Sequence, residues 1–209
     1  MSDQPAANPY AAPKPETSSR RSWSTAQSGV LFGVCLISVA LRLIDSPIAN
    51  FSSMAALALF SGAVIRHPAA FLLPVAIRAI TDLLIHAKTG YGFFASWPFD
   101  YAAYAVIFLF AAYSVRPNRT ASIVGGSIFA VGTYFALSNL GVWIMTDMYP
   151  QTISGLIECF TLAIPFARGT ILGNLIAVPI FFTAWNLLAV PSGTAAAVGA
   201  QIATANKDA

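Results

Sequence analysis

Apolar residues along this chain come in blocks separated by short polar stretches. The first block runs from about Gly29 to Ile44, the second from Met54 to Ile65, and the third from Ala69 to Ile85. A fourth covers Tyr101 to Val115, a fifth Ala121 to Met145, a sixth Thr152 to Phe166, and the last Gly169 to Val190. Blocks of this length and spacing predict helices that cross a bilayer, which takes about 20 residues each. The sixth block reads differently. Ile153, Ile157, Phe160 and Ile164 recur at helical period, with Ser154, Glu158 and Thr161 on a neighbouring face. That pattern predicts an amphipathic or re-entrant helix near 152–166, stopped at Pro165. The fold class expected is all-α: a polytopic membrane helix bundle of about six transmembrane helices plus that extra helix. The domain order expected is a disordered cytoplasmic tail over 1–28, a transmembrane helical domain over 29–190, and a disordered C-terminal tail over 191–209. The first tail holds Pro5, Pro9, Pro13 and Pro15 among Ala, Ser and Gln, too little apolar surface to fold.

Composition supports this reading. Of the 209 residues 57% are hydrophobic and 9% charged, against about 25% charged in a soluble domain. The net charge of +3 does not point to nucleic acid, because the cations are scattered between apolar blocks and form no basic stripe. With six spans, Lys14, Arg20, Arg21, Arg66, Arg116, Arg119 and Lys207 share one side, and Arg42, Lys88 and Arg168 the other. That bias predicts cytoplasmic termini. A seventh span moves the C-terminus across with no clear change in the bias. Cys35 and Cys159 have no C-x-x-C spacing, so neither a disulfide framework nor a zinc site is expected. Two histidines are a poor stock for a metal centre, and no phosphate-binding glycine loop or nucleophile motif is present. The expectation is a protein that is not an enzyme and carries no metal or cofactor.

The six-span arrangement puts most polar and aromatic loop residues on one side: Asp45, Asn50, His86, Lys88, Tyr91, Trp97, Asp100, Asp147, Tyr149, Glu158 and Arg168. Polar groups at membrane depth are costly and mark pathways or sites. Asn50, Asn139, Trp143, Tyr149 and Glu158 are the candidate substrate-binding residues. The aromatics also read as an interfacial belt. Asn139 and Trp143 stand four apart on one helix face, and Asn139 reads equally as a ligand contact or as hydrogen-bonding glue between helices. Arg78, Asp82 and His86 fall on one line along the third helix, drifting about 40° per step. They are the candidate intramembrane coupling site or, in the plainer reading, a structural ion pair. Asp147 and Glu158 make only a weak catalytic carboxylate pair. The small-residue pairs Gly29/Gly33, Ala58/Gly62 and Gly126/Ala130 suit close helix packing, within the bundle or against another subunit.

Three stretches carry a resemblance: N-F-S-S-M-A-A-L-A-L-F-S-G-A from Asn50, T-D-L at Asp82, and the run from Asn139 to Thr170 with N-x-G-V-W, M-Y-P-x-T and I-P-F. Over residues 30–190 the chain resembles an uncharacterised bacterial multi-pass membrane family of unknown function, labelled putative transport. Ser53 stands where that family's first motif has proline, which puts the shape of that loop in doubt. The architecture is also similar to the substrate-binding subunits of energy-coupling-factor vitamin transporters. The resemblance implies a bacterial inner-membrane protein in a lipid bilayer, capturing a small vitamin-like solute near the outer face. Membrane and ATPase partner subunits would supply the energy, since the chain has no ATP motif. The competing expectation is a non-transport membrane scaffold or assembly factor.

Overall fold

A computed structural model describes residues 24–44, 50–90 and 93–189. The expectations for the tails over 1–23 and 191–209, and for Asp45 and Tyr91, lie outside the described residues. Within them the chain is all-helical: α1 (Thr25–Leu43), α2 (Met54–Ile65), α3 (Leu72–Thr89, preceded by a 3-10 turn at Pro68–Phe71), α4 (Trp97–Ser114), α5 (Thr120–Met145) and α6 (Ile153–Ala184, closed by a π turn at Trp185–Ala189).

Helix α1 starts four residues earlier than the apolar pattern alone indicates. Ser24 and Gln27 close a capping box there: Gln27 N–H donates to Ser24 Oγ at 3.1 Å and Ser24 N–H to Gln27 Oε1 at 3.0 Å. Helix α2 keeps the limits read from the sequence. Ser52 and Ser53 precede it, and Arg66 ends it in the left-handed region at φ 52°. The Arg66 guanidinium then folds back, donating to Ala63 O and, from Nη2, to Val115 O at 2.9 Å. One side chain thus closes the open carbonyl end of α2 and ties it to the end of α4.

The largest departure from expectation is α6. No separate helix ends at 166; the chain runs helically through Pro165 and Pro179 for 32 residues. Proline removes one N–H and crowds the preceding turn. Inside a membrane bundle such breaks are tolerated, because neighbouring helices and hydroxyl side chains compensate. The amphipathic-helix reading for 152–166 is therefore corrected to the first turns of one long helix.

The core is α2. Every residue from Met54 to Val64 is buried, on all faces of the helix. A helix apolar all round belongs at the centre of a bundle. It packs chiefly on α4, then on α6, α5 and α3. Gly62 permits the α2–α4 approach: a Cβ there would strike the Phe108 carbonyl oxygen. Ala58 and Gly62, like Gly126 and Ala130, are spent inside the bundle, whereas a Cβ on Gly29 or Gly33 would meet open space. Phe60 of α2 sits edge-on to Phe181, Phe182 and Trp185 at centroid separations of 5.4–6.0 Å, joining α6 to the core.

The outer surface is apolar. Phe32, Leu36, Leu83, Leu109, Ile128 and Leu175 all project outward, with Ile128 70% exposed. Four of the described helical segments are long and apolar enough to cross a membrane: Thr25–Leu43, Pro68–Thr89, Thr120–Met145 and Ile153–Ala189. Helix α2 has only 12 residues, and α4 begins with a polar and aromatic turn that includes Asp100. Exposed apolar faces on crossing-length helices describe a bundle built for lipid.

A polar cavity at one end of the bundle

A cavity of about 390 Å³ opens where α1 and α5 end and α2 and α4 begin; α6 passes beside it. Its wall includes Arg42, Asn50, Arg78, Asp100, Tyr134 and Asn139, with Phe51, Phe94, Phe135 and Phe166 between them. Size and mixed lining fall within the range of small-molecule sites.

Along and behind the polar side of the wall runs a network of four charges from three helices. Arg78 and Asp82 are one turn apart on α3, the spacing at which side chains meet, and Arg78 Nε donates to Asp82 Oδ2 at 2.6 Å. Arg78 Nη1 donates to Tyr104 Oη at 3.0 Å and Nη2 to Asp100 Oδ2 at 3.1 Å, both on α4. From α1, Arg42 Nη2 donates to Asp82 Oδ1 and Nε to Thr81 Oγ1, the latter at 2.9 Å. Thr81 in turn donates to carbonyls of its own helix. Both Asp82 oxygens are taken, and the residue is 1% exposed; Arg78 is 5% exposed. Charges so deeply placed persist only when paired and hydrogen-bonded, and two guanidiniums against two carboxylates leave the network neutral. Tyr104 stacks on Tyr134 of α5, centroids 5.5 Å apart and rings 14° from parallel.

The candidate residues separate. Asn50 lines the cavity in the left-handed region, φ 59°, which Asn tolerates better than most residues. Asn139 also lines it; its Nδ2 donates to Phe135 O at 2.7 Å, and Cys159 Sγ sits 3.4 Å from its backbone oxygen. Trp143 is not in the wall. Its Nε1 donates to Pro150 O at 2.9 Å, and Gln151 Nε2 donates to Trp143 O, so this indole fastens the α5–α6 connection. Tyr149 is half-buried outside the cavity, and Glu158 is exposed on α6. Asp147 is exposed as well, and neither it nor Glu158 lines the cavity. Of the line along α3, Arg78 and Asp82 meet, whereas His86 is exposed with its ring 6.0 Å from Phe93.

Arg42, Asp100, Thr81, Tyr104 and Tyr134 were absent from the sequence-based site. The apolar pattern puts Arg42 near the outer end of the first helix; it occupies the last turn of α1 and turns onto α3. One signal was available for Asp100: Tyr104 follows it one turn later, so both present to one neighbour. Pairing between helices leaves no such trace. Among the described residues no cluster of His, Cys, Asp or Glu is arranged to hold a metal ion, and the two cysteines are free.

No curated protein and no solved structure matches this chain. A family of unknown function does, over residues 23–196, a range that takes in all six helices and the whole cavity wall. The chain belongs to that family, DUF6580.

Proposed function

We propose that this protein is a bacterial inner-membrane transporter, or the substrate-capturing subunit of one, and that the cavity holds a small vitamin-like solute. The observation that carries this reading is the cavity itself: about 390 Å³ of space, walled by Arg42, Asn50, Asp100 and Asn139, at one end of a lipid-facing bundle. A bundle whose only task is to span lipid has no use for that arrangement, and intramembrane polar groups cost stability unless function retains them. In this reading α2 and α4 complete six spans, the termini are cytoplasmic, and the cavity faces outward. The protein performs no covalent chemistry. Energy comes from a membrane subunit and an ATPase that dock on the bundle.

A second reading, a scaffold or assembly factor, is favoured by one observation: Gly29 and Gly33 leave an uncovered strip on α1, a surface on which another helix fits closely.

Native mass spectrometry of the protein in mild detergent separates them. The transport reading expects a stoichiometric small-molecule adduct on wild type. Ala167→Phe, which places a ring in the cavity, should remove the adduct and leave a folded protein. An adduct that survives Ala167→Phe refutes the cavity as its site. A bare wild-type mass together with a co-purifying membrane protein favours the scaffold.

A further inference from the structure

We infer that the cavity selects a small monoanion, a carboxylate on a largely apolar body, and that Arg42 is the residue that holds it. This rests on the cavity being a solute site.

The two arginines are not equivalent. Arg78 is held on three nitrogens, by Asp82, Tyr104 and Asp100, with its side chain 6% exposed. It is a fixed strut. Arg42 has two nitrogens engaged, with Thr81 and Asp82, and its side chain is 14% exposed. A guanidinium has five N–H donors in a planar fork. Arg42 Nη1 has no partner among the described residues, and Arg42 stands in the cavity wall. It is the cation with capacity to spare.

Charge points the same way. Asp82 neutralises the network from behind the wall and does not line the cavity. Among the described residues the charged side chains that do are Arg42, Arg78 and Asp100, a surplus of one positive charge facing the occupant. Asp100 Oδ2 is already turned toward Arg78. A cationic solute would meet two guanidiniums, and a dianion would overshoot the surplus. A monoanion balances it, and an arginine fork facing a carboxylate gives the strongest geometry for such a contact. The apolar part of the lining, with Phe51, Phe135, Val142 and Phe166, takes an aromatic or aliphatic body, and the Asn50 and Asn139 side chains serve its polar edges.

The test uses full-length protein in mild detergent and reads the melting midpoint with three carboxylates (benzoate, nicotinate, hexanoate) and their neutral amides. At least one carboxylate should stabilise saturably, and its amide about tenfold more weakly or not at all. Arg42→Gln should weaken that carboxylate by about ten- to a hundredfold, Arg42→Lys by less, and Glu158→Gln by under twofold. Equal binding of acid and amide, or no response to any of the three acids, overturns the anion assignment. If a neutral adduct is nonetheless present in the native mass spectrum and lost in Ala167→Phe, the solute site stands and only its charge preference falls. Phosphatidylglycerol that stabilises the protein and is not displaced by any carboxylate identifies a lipid headgroup as the anion, and overturns the solute.

Discussion

Asp82→Asn is the sharpest perturbation of the charge network, and its consequence follows from the pairing. The wild-type network has Arg42 and Arg78 against Asp82 and Asp100. The variant keeps both guanidiniums and loses the carboxylate that serves both. Because Asp82 is 1% and Arg78 5% exposed, the reference is a broken buried pair, about 3–5 kcal/mol, and not a surface pair, about 0–1 kcal/mol. Arg78 retains Asp100 at 3.1 Å and Arg42 has some access to solvent, so the cost should fall near the low end, about 3 kcal/mol. Removing the surplus charge should recover part of it. Asp82→Asn with Arg42→Gln leaves one guanidinium and one carboxylate, and this double variant should be more stable than Asp82→Asn alone by about 1 kcal/mol or more. The assay is unfolding by SDS titration in mixed micelles, run as a double-mutant cycle. A double variant destabilised by the sum of the two singles, within about 0.5 kcal/mol, would refute electrostatic coupling through Asp82.

Two further outcomes test the packing and the loop. Gly62→Leu should destabilise the bundle by about 1–3 kcal/mol or more, since the new side chain meets the Phe108 carbonyl with no space to move; an unchanged SDS midpoint would show that α2 and α4 are farther apart than described. Trp143→Phe should cost about 1 kcal/mol by removing the hydrogen bond to Pro150 O, and should speed proteolysis within 146–152 while solute binding stays within about twofold; selective loss of binding would return Trp143 to the site.

What the sequence reveals of this fold depends on whether the signal lies within one helix. Met54–Ile65 is legible to the residue, because serines bound it on one side and Arg66-His67-Pro68 on the other. Thr120–Met145 is nearly so. The apparent break at 166 misleads because proline is a stop signal in water and a tolerated residue in a packed membrane helix. The stripe at Ile153, Ile157 and Ile164 misleads for a related reason. Those residues are 79%, 62% and 63% exposed; apolar periodicity marks a helix face, not where the helix ends. The charge network divides likewise. Arg78 and Asp82 announce themselves by their spacing. Arg42 looks like a helix-end cation and Asp100 like a loop charge, because their partners are 40 and 22 residues away in sequence. Asn139 and Trp143 share a helix face, yet one lines the cavity and the other reaches the connection beyond. A shared face narrows direction to a broad sector and does not decide which neighbour a long side chain finds.

The length of α6 sets how deep the cavity lies. Its 32 helical residues extend about 48 Å, against a hydrocarbon core of about 30 Å. Fitting all of it inside would need a tilt of about 50°, beyond the usual range of about 0–40°. A straight helix of this length leaves one end outside the hydrocarbon, and charge points to the N-terminal end. Residues 169–189 contain no charged side chain, while the turns before them carry Glu158 and Arg168, both exposed. Ala163, Phe166, Ala167 and Thr170, which border the cavity, straddle that boundary. With the uncharged stretch 169–189 in the hydrocarbon, the cavity would border the interfacial layer and not the bilayer centre. Under the transport reading, a solute would reach Arg42 without first giving up its hydration to lipid.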